Sequence, residues 1–134
     1  MNLTIEARIE NVEEVISFVN DQLKGMGCTL RAKTQIDIAL DELFSNICRY
    51  AYGEGIGHAT ISVEEVPEEN AVRITLEDSG IPFNPLSHED PDVTLDLHER
   101  TIGGLGIFMV KKTMTDVNYE YKDGVNTLTV LKTI

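Results

Sequence analysis

DELFSNICRYAY, residues Asp41 to Tyr52, reads as the end of a long helix that carries polar groups close to its buried face. Ile36, Leu40, Leu43 and Ile47 repeat at helical spacing and mark the side that meets a core. Thr29 is placed to cap the start, and the pattern runs to about Tyr50. Glu42, Asn46 and Tyr50 follow one another at intervals of four and form a second stripe beside the apolar one. That stripe faces the edge of a core, where a pocket can open. An asparagine carbonyl is a hard oxygen suited to Mg²⁺, and a glutamate one turn away can accept a proton from a hydroxyl. The same residues also fit a solvated helix face, so the rest of the chain must decide.

Working outward, the pattern alternates between strands and helices. Leu3, Ile5, Ala7 and Ile9 of NLTIEARIE fall on one side of a strand. A helix follows, with Asn11 as its cap, Glu13 and Glu14 in its first turn, and Val12, Val15, Ile16, Val19 and Leu23 as its apolar stripe. Gly25 and Gly27 end it. After the long helix come a GEGIG loop and two strands, HATISVEEV and AVRITLED, joined by the short polar link PEEN. Ser79 to Ile102 holds three of the four prolines and little regular pattern, and is expected to be a long functional loop. GGLGIFMVKKTM opens a third helix, and VNYEYK-DGV-NTLTVLKT reads as a closing hairpin. The order β-α-α-β-β-loop-α-β-β predicts an α+β two-layer sandwich, with helices packed on one face of a mixed, mostly antiparallel sheet. No repeat or linker divides residues 1–134, so one domain is expected.

Composition narrows the class. The 134 residues suffice for one core. Acidic residues outnumber basic ones by 23 to 11, and a net charge of -12 argues against direct contact with nucleic acid. It suits a basic protein partner, bound Mg²⁺ or solubility alone. No apolar run approaches a bilayer span and the N-terminus lacks a signal-peptide pattern, so the expected location is cytoplasmic, away from any membrane. Cys28 and Cys48 have no metal-type spacing and are read as reduced thiols.

Three further stretches carry chemistry. In LEDSGIPFNP a strand ends on Asp78, a carboxylate that can accept a hydrogen bond from an exocyclic amine, and Gly80 lets a flat ring approach. An ordinary D-x-G turn reads equally well. In TIGGLGIFMV, glycines flow into a helix start, the usual physical form of a phosphate site, although a flexible hinge has the same composition. No Walker G-K-[ST] is present. DGVNTLTV is a hairpin turn that leaves Thr127 free to point into a pocket.

Taken in order, helical E-x-x-x-N, D-x-G after a strand, G-G-x-G-I opening a helix, and a glycine turn with a threonine resemble the GHKL ATP-binding superfamily: its N box, two glycine boxes and closing strand. Within it the likeness is to the anti-sigma-factor serine/threonine kinases, and it covers nearly the whole chain. The resemblance implies a Bergerat-type fold binding ATP or ADP with Mg²⁺. It implies Asn46 as the Mg²⁺ ligand, Glu42 as general base and Asp78 as the adenine-binding carboxylate. It assigns Gly80, Gly103, Gly104 and Gly106 to the glycine boxes, Thr127 loosely to the adenine side, and Pro85 to Gly103 to a lid over the phosphates. It implies an anti-anti-sigma-type substrate protein, a sigma factor as a second partner, and the homodimer that relatives often form. The chain departs from the pattern where Pro82 stands near the second glycine of the first box, and at the variable Arg49 and Tyr50. The lid's Asp90, Asp92, Asp96 and Glu99 have no assigned role, and His98 reads as a solvated loop residue. A histidine-kinase catalytic domain would need a helical phospho-accepting histidine, which His58, His88 and His98 do not supply. A nucleotide-gated binding module without phosphotransfer is the other rival.

Overall fold

A computed structural model describes residues 1–53, 55–87 and 104–134, and for Ser87, Gly104 and Leu105 the backbone only. The chain runs β1 (Asn2–Glu6), α1 (Val12–Leu23), α2 (Leu30–Tyr50), β2 (His58–Val66), β3 (Ala71–Asp78), α3 (Gly104–Thr113), β4 (Asp116–Lys122) and β5 (Val125–Thr133), with short 3-10 turns between some of them. The strands form one sheet in the order β1-β2-β3-β5-β4, and every pair is antiparallel. One side of the sheet is apolar. Ile61, Val63, Ile74, Leu76, Leu128 and Val130 join Val15, Val19, Leu23, Leu40, Phe44 and Val110 of the three helices in one cluster. Helices therefore cover one face, as the element order predicted.

α2 is the spine of the site. The Thr29 hydroxyl accepts from the Ala32 amide at 3.1 Å, satisfying one of the open donors at the helix start. Ile36, Leu40, Leu43, Phe44 and Ile47 are all buried, at about 1.5–3 kcal/mol each for side chains of this size. α1 ends where the chain turns through positive φ at Gly25 (+88°) and Gly27 (+72°), a conformation side chains resist.

Two expectations at the N-terminus do not hold. The first strand stops at Glu6, and Ile9 begins a 3-10 turn with 51% of its surface exposed. Asn11 makes no cap bond to α1, because its side chain donates back to the Glu6 carbonyl at 3.0 Å and folds the corner instead. The PEEN link is itself a 3-10 turn closed by left-handed Asn70. The last hairpin turns on Asp123 (φ 53°) and Gly124 (φ 80°), the paired positive-φ geometry of a tight two-residue turn.

Candidate functional site

Glu42 and Asn46 lie on the flank of α2 at the edge of the core, Glu42 half-buried and Asn46 buried. Burial pushes the Glu42 carboxyl above the usual carboxylate range. The Arg49 guanidinium and a hydrogen bond from the Asn46 side chain pull the other way, and Asp41 adds slightly to the rise. Glu42 Oε1 is buried without a partner. A buried polar atom of this kind costs stability unless water, an ion or a ligand meets it. Across from it stands the first turn of α3, where a Cβ on Gly106 would overlap the Glu42 carboxylate. Glycine leaves the carboxylate its place against the first turn of α3. Two motifs more than fifty residues apart thus meet at one side chain.

The second half of the site is built by strand register. Asp78, last in β3, pairs with Asn126 near the start of β5, and both point to the helix side with Leu76 and Leu128. Asp78 Oδ1 accepts from the Gly80 amide and from Asn126 Nδ2, each at 2.9 Å. Asn126 Nδ2 also donates to the Ile81 carbonyl at 2.9 Å, while its Oδ1 accepts from the Phe83 amide at 3.3 Å and from the Tyr119 hydroxyl. One asparagine therefore ties the strap of residues 80–83 to the carboxylate. The strap is fixed at its other side by the Ile81 amide donating to the Ala51 carbonyl at 2.8 Å. Tyr52 braces it further, its hydroxyl donating to the His58 carbonyl (2.6 Å) and accepting from the Ser79 amide (2.9 Å).

Between the halves is a cleft lined by Asn46, Tyr50, Leu76, Asp78, Phe83 and Asn126, among others. Its free space is about 30 Å³, room for ordered water but well below the several hundred Å³ typical of a small-molecule site. The Tyr50 and Phe83 rings stack across it, with centroids 4.9 Å apart and planes at 27°. Among the described residues no group of three or more His, Cys, Asp or Glu side chains could cage a metal. The Asn46 side-chain oxygen, buried at the edge of the core and lining the cleft, would fit a cation that keeps most of its water, which is how Mg²⁺ is commonly held.

The structure thus brings Gly106 against Glu42, one turn of α2 from Asn46, and Gly80 against Asp78, with Asn46 and Asp78 both lining the cleft. At Gly80 a Cβ would overlap the Ala51 carbonyl, so the strap's approach to the end of α2 requires glycine there. Gly104 begins α3. Thr127 is corrected. It pairs with Glu77 and Glu120 and alternates away from Asn126 and Leu128, so its side chain lies on the sheet face opposite the cleft. Asn126 takes the position the threonine was expected to fill. The alternation of Leu128 and Val130 carried that signal, since it sets residue 126, not 127, on the core face. Gly103, the histidines at 88 and 98, the acidic lid residues Asp90, Asp92, Asp96 and Glu99, and nearly all of the lid lie outside the described residues.

Residues 5–132 match the model of the histidine kinase-like ATPase domain. The chain belongs to this family. Its ATP-binding character follows from the family. Serine-protein kinase RsbW of Listeria monocytogenes (serovar 1/2a) is 29% identical over 104 residues, covering 75% of this chain and 66% of that protein. Serine-protein kinase RsbW of Staphylococcus aureus (strain JH9) is 26% identical over 140 residues, covering 97% of this chain and 86% of that protein. The histidine kinase domain of the Erythrobacter litoralis EL346 blue-light activated histidine kinase shares the fold at a TM-score of 0.57 and 13% identity, over 92% of this chain and 59% of that one. No helix among the described residues is long and apolar enough to cross a membrane.

Proposed function

We propose that this chain is a serine/threonine protein kinase of the histidine kinase-like ATPase family, transferring the γ-phosphoryl group of ATP to a hydroxyl on a small anti-anti-sigma-type protein. The observation that carries this is the Glu42 carboxylate: partly desolvated, one oxygen without a partner, with a glycine at the start of α3 held against it. A desolvated proton acceptor of this kind favours phosphoryl transfer over a nucleotide-gated module that only holds a partner. Asp78 reads the adenine amine through the oxygen not bound to Gly80 and Asn126, and Tyr50 and Phe83 cover the base. Asn46 is the Mg²⁺ ligand; bound Mg²⁺ neutralises charge on the phosphate oxygens. The acceptor hydroxyl gives its proton to Glu42 as its oxygen bonds to the γ-phosphorus. The bond from that phosphorus to the β–γ bridging oxygen breaks, and ADP leaves with the electron pair. Most of the acceleration comes from positioning and electrostatics, so few side chains suffice. The acidic surface suits a basic sigma factor as the second partner.

The test is transfer itself. The purified chain, γ-labelled ATP and Mg²⁺ are incubated with small candidate partner proteins encoded beside it. Label on a partner serine or threonine, abolished by EDTA, is expected. Nucleotide binding that changes partner affinity with no label transferred would replace the kinase with a nucleotide-gated binding module.

A further inference from the structure

The far end of the two helices that frame the site holds a feature the nucleotide cleft does not use. The start of α2, the end of α3 and the end of β5 enclose a groove of about 280 Å³, with Arg31, Gln35, Lys112, Thr113, Lys132 and Thr133 in its wall. Three of the chain's 11 basic residues converge there, on a protein of net charge -12, and no carboxylate lines the groove. Among the described residues Arg8, Lys24, Lys33 and Arg73 each have a carboxylate partner within ion-pair distance, while Arg31, Lys112 and Lys132 have none, as is also so for Arg49 and Lys122 outside the groove.

Two of the three cations have an anchor within the fold. Lys132 is half-buried, and its ammonium donates to the Thr113 carbonyl at 2.5 Å, which uses one of its three hydrogens. Lys112 lies over the Phe108 ring, 5.4 Å from its centroid. Burial lowers the Lys132 pKa, and the Arg31 guanidinium lowers it further, the sign of like charges in mutual reach. Capping the end of α3 explains the bond from Lys132 to Thr113. It does not account for Arg31, which lines the same groove from another helix.

We propose that this groove is a binding site for a phosphate-type oxyanion, held by Arg31, Lys112 and Lys132. The guanidinium supplies a planar fork of donors and the ammoniums supply point charges, the combination that recognises a tetrahedral dianion. The ligand chemistry is shared by free phosphate and by a phosphorylated side chain of a partner protein. The site is separate from the cleft: Arg31 precedes Glu42 by eleven residues of α2, roughly 16 Å along the helix. It stands independently of the kinase assignment.

The experiment is an amide NMR titration of the full chain without nucleotide. Its two arms are inorganic phosphate and capped phosphoserine, each against sodium chloride at equal ionic strength. Saturable shifts at Arg31, Lys112 and Lys132 and their neighbours, beyond the chloride control, are expected. Tighter saturation by phosphoserine assigns the site to a phosphorylated side chain, and equal or tighter saturation by phosphate to the free ion. Arg31→Gln, an exposed substitution, and Lys132→Gln, which keeps a donor for Thr113, should each weaken binding about tenfold. Shifts no larger than with chloride, or shifts unchanged in both variants, would overturn the proposal. Because the readout is local to these residues, phosphate entering the nucleotide cleft produces a different set of shifts, around Asn46 and Gly106.

Discussion

Replacing Asn126 with alanine tests whether one side chain holds the adenine end of the cleft together. Asn126→Ala removes donations to Asp78 and Ile81 at 2.9 Å and the acceptor for Phe83 and Tyr119. Asp78 keeps the Gly80 amide, and Tyr119 can turn to water, so two of the four losses are partly made good. At about 0.5–1.5 kcal/mol for each bond, and more where a buried group stays unpaired, the loss should be about 2–4 kcal/mol. Urea denaturation of the nucleotide-free protein reads it directly, and calorimetry with ATP should show affinity down about tenfold because Asp78 is no longer positioned. Thr127→Ala, one residue along on the opposite face, is the control and should leave ATP affinity unchanged. A loss below about 0.5 kcal/mol in Asn126→Ala, the range of ordinary surface changes, would refute the reasoning.

Gly106→Ala should fold, because the atoms nearest the new methyl are the flexible end of Glu42, and should slow phosphoryl transfer by displacing that carboxylate; thermal melting and single-turnover kinetics check the two halves. Asn46→Ala should weaken ATP binding more in Mg²⁺ than in EDTA, and calorimetry showing equal losses would assign Asn46 to packing instead. Glu42 carries a pH signature. Its folded pKa is raised, so the folded state favours the protonated form, and its contribution to stability is full below the ordinary glutamate value and lost as pH rises through the folded value. Glu42→Gln should therefore be more stable than the native chain at neutral pH, with the gap closing as pH falls through the carboxylate range. A pH-independent gap in denaturation midpoints would contradict this.

The architecture was legible because its signals are periodic. Ile36, Leu40, Leu43 and Ile47 announce α2, and the alternation in AVRITLED announces a strand ending at Asp78. What periodicity misses is local competition for hydrogen bonds. Asn11 looks like a cap, and nothing nearby in sequence shows that the Glu6 carbonyl will claim it. At the site, Glu42, Asn46 and Asp78 stand out by residue type and spacing. Asn126 does not, because its role comes from register across β3 and β5 and from a strap that must cross Ala51. Gly80 was visible as a glycine, but its reason, a carbonyl supplied by the end of α2, is tertiary.

The central claim is that Glu42 takes a proton during phosphoryl transfer. Glu42→Gln keeps shape and hydrogen bonding and removes only the acceptor. ATP and partner binding should stay near native, while single-turnover transfer to the partner serine or threonine falls about a hundredfold, the low end for a general base because the proton leaves late in a loose transition state. Transfer at the native rate by this variant would contradict the account and leave Glu42 as a buried neighbour of a nucleotide site.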